Sequence, residues 1–353
     1  SMFSVEGKRA LVLQQMLDHY VHRNGTQHFR WRKFAPIYVE WAKSVLSERL
    51  SIDILAPVVC LTYEGDRIEM ADRFAFERIP DDTQRARGTR GSYAVPVSAP
   101  LVGAATHCLI LEEWTMANES RDERDRALGS LDAFSEALGH FDKALAAIRI
   151  VTDADCGYGQ IVTRPIQWSG KWKAGLPHMY VVGTRSYPAH LQDYGWLRQP
   201  HVITGSAAKE IAAVYQRLAS TDANQVQLAV RRLNAAYLKQ SDEDAILDVT
   251  MGLEALLTPD SRSGEITHKL ATRLAALSAK KRFRDFRAEE VFRSCKRVYD
   301  YRSAVIHGST DLAKKREVAL QGREPEDTFV LARNLLRYAL DVITTHPSLS
   351  DAA

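Results

Sequence analysis

The chain has 353 residues, 45% of them hydrophobic, 26% charged and 8% aromatic, with a net charge of +3 at pH 7 and a mean hydropathy of -0.27. That balance excludes intrinsic disorder, and the length points to two domains. No apolar run reaches the roughly 18–20 residues needed to cross a bilayer, and the first residues lack the apolar core of a secretory signal, so no membrane partner and a cytoplasmic setting are expected. Cys60, Cys108, Cys156 and Cys295 stand far apart, with no zinc-ligand or redox-dithiol spacing, and are expected to be buried thiols.

Taken in chain order, apolar spacing predicts helices over 7–23 and 35–50, the first closed by Asn24-Gly25. The period then changes. The stretches "IDILAPVVCLTY" (52–63) and "IEMADRFAFERI" (68–79) read as two strands joined by the turn Glu64-Gly65-Asp66, and "THCLILEEW" (106–114) as a third. Residues 81–99, carrying Arg85, Arg87 and Arg90 among Gly and Ser, read as a loop. A long helix is predicted over 126–149, and 150–203 as further strands and loops. These signals define an α+β domain over 1–205, with a sensing or target-selecting role.

From Ser206 the pattern becomes helix after helix: 207–219, 223–239, 242–257, 265–278, 287–307 and 326–345. The third begins at Ser241 with Asp242, Glu243 and Asp244 in its first turn, and Ile246, Val249, Leu253, Leu256 and Leu257 form one apolar face. Short connections make a helical bundle over 206–353 the economical packing. Between Arg262 and Arg302 stand 12 Lys and Arg against 5 Asp and Glu, a local excess of +7, which describes either a solvated helical surface or a face for a polyanion.

This basic segment runs into "YDYRSAVIHG", 299–308. On the predicted helix Val291, Cys295, Val298 and Val305 mark the packed face, while Lys296, Tyr299, Ser303 and His307 form a polar stripe with Arg302 beside it. Gly308 suits a left-handed helix end, which places His307 beside the last carbonyls, where partial negative charge favours a cation. Arg302 and His307 are five residues apart and so lie about 140° from one another around a regular helix. Two copies meeting near a two-fold axis would bring both pairs to one groove. A distorted last turn is the alternative.

The same stretch, preceded by "GLEALLTP" and "ITHKLATRLAAL", resembles the C-terminal region of the Apea-like branch of the HEPN superfamily (higher eukaryotes and prokaryotes nucleotide-binding), over roughly 241–345. The superfamily's motif is an arginine, a polar residue and then a histidine after four to six intervening positions, matched by Arg302, Ser303 and His307. The resemblance implies an HEPN-like helical bundle that dimerises. It also implies a metal-independent endoribonuclease acting in phage defence or a toxin-like system. RNA, a second copy of the chain and a phage-derived or nucleotide trigger are the partners implied, with no cofactor and no metal. The chain departs from many toxin-type members in having Ser303 where they have Asn, and Ser309 where some carry a modifiable tyrosine.

The chemistry suits these residues. A 2′-hydroxyl attacks the adjacent phosphorus when one group takes its proton, another protonates the departing 5′-oxygen and a cation holds the phosphoryl oxygens. Two copies of His307 supply base and acid, Arg302 a forked donor for phosphate, and Ser303 a hydroxyl to orient the histidine or bond a phosphate oxygen. Lys296 and Tyr299 are supporting members of the stripe. Glu254 and Arg273 fall among apolar neighbours and need partners: a pair with each other is the first expectation, Glu254 reaching Arg302 the second. His268 is read as a surface or structural residue.

Elsewhere "HFRWRKF" (28–34) and "WSGKWK" (168–173) interleave bases with aromatics, the composition of surfaces on which nucleobases stack and also of ordinary helix starts and strand ends. "DADCGYG" (153–159) lacks the closing glutamate of a calcium loop, since Arg164 stands there. The rival to the ribonuclease is a noncatalytic scaffold or sensor whose helical domain only dimerises or binds nucleotide or RNA.

Overall fold

A computed structural model of the protein describes residues 5–90, 99–169, 172, 175–191, 197–258, 266–319 and 324–351. Its contacts divide the chain into two compact units, one formed by 1–139, 156–186 and 191–202, the other by 140–155, 187–190 and 203–353. The chain enters the second unit for good at Ile203, beside the expected boundary at 205, but that unit also takes in 140–155.

The first unit opens with a helical hairpin. Helices α1 (Val5–Asn24) and α2 (Trp31–Leu46) close on Met16, Tyr20, Phe34 and Ile37, and Gly25 ends α1 at φ +61°. An antiparallel sheet follows, built from β1 (Arg49–Val59), β3 (Arg67–Ala71), β4 (Phe74–Arg78), β5 (His107–Ala117), β6 (Gly157–Pro165) and β7 (Tyr180–Ser186), while the short β2 (Leu61–Tyr63) pairs instead with β8 (His201–Ile203). The sheet order is β3-β4-β5-β1-β6-β7. Strand β1 is central, which accounts for its near-continuous apolar run, buried on both faces from Ile52 to Val59. Pro57 sits where the register against β6 shifts, the position at which a strand tolerates a missing donor.

Several expectations are corrected here. The first strand stops at Cys60, whose φ is +59°, and the second is a hairpin broken at Asp72-Arg73, with Arg73 at φ +56°. Residues expected as loop form α3 (Asp81–Arg90), started by Pro80 with Asp81 and Asp82 against the positive helix end; residues 91–98 of that segment lie outside the described residues. A short α4 (Ala99–Ala104) precedes β5. The single helix expected over 126–149 is two, α5 (Arg121–Leu128) and α6 (Ser135–Thr152), separated by Gly129 and one 3-10 turn at Asp132–Phe134.

The second unit comprises the latter part of α6 with α7 (Gly205–Ala219), α8 (Asn224–Leu238), α9 (Asp242–Leu257), α10 (Ile266–Leu277), α11 (Ala288–His307), α12 (Leu312–Lys315), α13 (Thr328–Thr345) and α14 (Ser348–Asp351). Two-residue strands β9 (Glu317–Val318) and β10 (Glu326–Asp327) pair before α13. An α+β half is thus followed by a helical one. Helix α9 packs on α8 and α13, and α10 on α11. Ser241 caps α9 by accepting from the Asp244 amide at 3.2 Å. All five residues of the expected α9 face are buried. Gly252 lets α9 approach closely, since a Cβ there would lie 2.9 Å from Leu336 Cδ2. Among the described residues no helix is long and apolar enough to cross a membrane.

Two buried imidazoles in the first unit make its stability depend on pH. His19, 6% exposed and stacked on Trp172 at 4.0 Å, has its pKa lowered to about 4, first by burial and then by Arg23 and His22. His107 is lowered to about 4 by burial, with Arg78 adding and Asp66 opposing. Both folded-state values lie below the unfolded value of about 6.5, so protons bind the unfolded chain more readily. Stability from these groups is full above about pH 6.5 and is lost as pH falls towards 4. Urea unfolding followed from pH 7.5 to 5 should show a falling midpoint, with the decline reduced in His19→Phe and His107→Phe; an unchanged decline would refute the assignment.

Candidate functional site

Helix α11 carries the site, and its two ends are well determined. At the start the Arg287 amide donates to Glu290 Oε2 at 2.7 Å, and Glu289 and Glu290 lie in the first turn, where negative charge is favoured. At the finish Gly308 adopts φ +59° and ψ +40°. The Ser309 amide then donates to Ala304 O at 2.9 Å and the Gly308 amide to Val305 O at 3.3 Å, the paired bonds of a left-handed helix end. The helix is regular through His307, so no distorted last turn brings Arg302 and His307 together.

Its buried face is Val291, Ser294, Cys295, Val298, Tyr299, Tyr301 and Ala304. Lys296, Ser303 and His307 are exposed and Arg302 is half-buried at the margin. Tyr299, expected on the polar stripe, is therefore an inward residue, 7% exposed. It lies one turn after Cys295 and one position after Val298, inside an apolar stripe broader than a strict 3-4 pattern. Its hydroxyl donates to Glu254 Oε1 at 2.9 Å. Burial first, and then the Glu254 charge, push the phenol far above its ordinary value against the opposing Arg302 charge. Tyr299 accordingly stays protonated and donates to Glu254.

The expected pairing of Glu254 with Arg273 is not made. Arg273, half-buried on α10, donates from Nη1 to the Leu257 carbonyl, satisfying one of the acceptors left open at the end of α9. Thr258 meets the Glu254 carbonyl, its amide at 2.8 Å and its hydroxyl at 3.0 Å. Nor does an ion pair join Glu254 to Arg302. Instead Arg302 Nε is buried and, among the described residues, has no hydrogen-bond acceptor. The same holds at Nε of Arg149, Arg217, Arg333 and Arg337, which have partners at other nitrogens, whereas among the described residues Arg302 forms no ion pair. Lys296 places its ammonium 5.9 Å from the Phe292 ring centroid, and Phe292 meets the exposed His268 edge-on at 5.5 Å. The site is thus an exposed Ser303–His307 pair one turn apart, a marginal Arg302, and a Tyr299–Glu254 bond beneath.

Sequence reasoning did not single out a second polar cluster in this unit. Asp153, at φ +59°, accepts from the Tyr237 hydroxyl at 2.5 Å, from Arg333 at 3.0 Å and from Arg337 at 3.1 Å. Arg149, fully buried, lies over the Tyr237 ring at 4.5 Å and donates to Asn234 at 2.6 Å. This network braces the end of α6 against α8 and α13. Its trace in the sequence is the pair Arg333 and Arg337, one turn apart in a largely apolar helix. Among the described residues no group of three or more His, Cys, Asp or Glu side chains is arranged to hold a metal ion. Compared with protein-family models, curated proteins and solved structures, the chain matches none.

Gly308 sets where the helix ends, and no heavy atom obstructs a side chain there. Gly308→Ala therefore tests the backbone alone: a left-handed non-glycine residue costs about 1–2 kcal/mol. Urea unfolding should register that loss and the Ser309 amide should exchange faster, with Gly308→Asn milder on both counts. Equal stability of wild type and the alanine variant would refute the role.

Proposed function

We propose that the chain is a homodimeric endoribonuclease of HEPN type that cleaves RNA by attack of a 2′-hydroxyl on the adjacent phosphodiester, in a cytoplasmic phage-defence or toxin-like system answering a phage-derived or nucleotide trigger. The observation that carries this reading is the half-buried Arg302, which forms no ion pair among the described residues, beside exposed Ser303 and His307. A phosphate oxygen is the acceptor that suits an arginine, which offers two parallel donors to it. The resemblance of 299–308 to the superfamily motif supports the same conclusion.

One His307 takes the proton from the 2′-oxygen as that oxygen bonds to phosphorus. The other gives a proton to the 5′-oxygen as its bond to phosphorus breaks, leaving a 2′,3′-cyclic phosphate and a free 5′-hydroxyl. Arg302 holds charge on the non-bridging oxygens, and Ser303, one turn before His307, orients the imidazole or bonds a phosphate oxygen. The angular separation of Arg302 and His307 on a regular helix is why two copies are required. Glu254 and Tyr299 act beneath, by giving the helix's packing a direction, and Lys296 adds positive charge on the exposed face.

Mixed RNAs incubated in EDTA should be cut by the wild type, with cyclic-phosphate ends. His307→Ala and Arg302→Ala should lower the rate by about 10²–10⁴ with the circular dichroism spectrum unchanged. Ser303→Ala should retain part of the activity, and sedimentation should show a dimer. Inertness of the wild type towards every RNA and trigger offered would favour a noncatalytic scaffold or sensor, and a monomer at all concentrations would refute the shared groove.

A further inference from the structure

The start of α2 and the loop before it present an unusual surface. Phe29 is 56%, Trp31 59% and Tyr38 44% exposed, although large aromatics normally avoid water. The rings are held in place from below. Buried Phe34 lies 5.2 Å from Phe29 and 5.9 Å from Trp31, and Tyr38 adjoins Trp31 at 6.4 Å. The loop backbone is pinned as well. Buried Tyr20 donates its hydroxyl to His28 O at 2.7 Å and accepts from the Arg30 amide at 2.9 Å.

Cations surround these rings, and the nearest acidic residue after them, Glu40, interacts among those cations with Arg23 alone. Residues 22–39 contain Arg23, Arg30, Arg32 and Lys33 with His22 and His28, and no acidic residue. All four Arg and Lys side chains are exposed, and among the described residues none forms an ion pair. Trp31 is bracketed by Arg30 and Arg32, so rings and charges interleave. An interfacial membrane helix instead segregates its cations from its apolar face. A second copy of the same patch would oppose like charge with like charge. A polyanion that carries flat apolar faces answers both features at once.

We infer that the 28–38 segment is a docking surface for single-stranded nucleic acid, on which bases stack against Phe29, Trp31 and Tyr38 while Arg30, Arg32 and Lys33 meet phosphates. The companion stretch at 168–173 does not share this role: Trp168 is 3% exposed and donates Nε1 to Ser51 O at 2.6 Å, Trp172 stacks on His19, and Lys171 and Lys173 lie outside the described residues. The surface belongs to the first unit and its argument is independent of the α11 chemistry.

The test is fluorescence anisotropy with a labelled oligothymidylate about 20 nucleotides long, enough to cover a single docking site. Having no 2′-hydroxyl, it is not consumed by the cleavage proposed above, so failure here and failure of that reading are separate results. Binding at about 50 mM salt is expected, with log affinity falling by about 0.7 per log unit of salt for each phosphate engaged. Phe29→Ala with Trp31→Ala should weaken it about tenfold or more, with the circular dichroism spectrum showing the fold retained. Arg30→Gln with Arg32→Gln should flatten the salt dependence, and His307→Ala should leave binding intact. No binding at low salt, indifference to loss of the rings, or equal affinity for duplex would overturn the inference. So would binding of phosphatidylglycerol vesicles, or ring-dependent self-association, in place of the oligonucleotide.

Discussion

The rotation of α11 about its own axis decides which of its side chains meet solvent, and the part-buried Tyr299–Glu254 hydrogen bond gives its packing against α9 a direction. A helix packed only through Val291, Cys295 and Val298 slides and turns by small amounts at little cost, because apolar contact is not directional. A phenol held at 2.9 Å from a carboxylate oxygen inside the unit is directional. Tyr299 faces inward, while Ser303 and His307, further along the same side of the helix, are exposed and Arg302 is half-buried.

The treatment of arginine across both units shows why Arg302 is informative. Arg67 is gripped by Glu69 at 2.6 Å, by Glu112 at 2.7 Å and by Glu77. Arg164 is held by Asp53 at 2.8 Å, Arg217 by Asp341 at 2.8 Å, and Arg333 and Arg337 by Asp153. Removing a charge from water is tolerated where a partner replaces the lost hydration. An Nε without an acceptor recurs in Arg217, Arg333 and Arg337, but those side chains hold a carboxylate through another nitrogen, whereas among the described residues Arg302 forms no ion pair. Arg273 resolves the same demand differently, by donating to the open carbonyl end of α9.

How much of this was legible in the sequence follows from which forces are local. The helices of the second half declared themselves through 3.6-residue spacing, the Ser241 cap and Gly308, since caps and periodicity depend on near neighbours. Helix α3 was missed because Gly and Arg made 81–99 look like a loop, although Pro80 with Asp81 and Asp82 was a start signal. The hairpin at Asp72-Arg73 was missed because Arg73 adopts a left-handed conformation that glycine or asparagine would have advertised. At the site, the positions of Arg302, Ser303 and His307 were readable from one helical period. The partners of Glu254 and Arg273 were not, because they lie on other helices: Tyr299 is 45 residues from Glu254.

The two surfaces singled out differ in what they ask of a ligand. On α11 a hydroxyl, an imidazole and a guanidinium lie within two turns, a set suited to one phosphodiester and to proton movement. At the start of α2 there are exposed rings interleaved with exposed cations, a set suited to holding several nucleotides. Binding by stacking is tolerant of sequence because every base has a flat face, whereas cleavage demands alignment of a single bond. A chain that divided such tasks between two units could vary the first without disturbing the geometry of α11, since Tyr299 and Glu254 both belong to the helical unit.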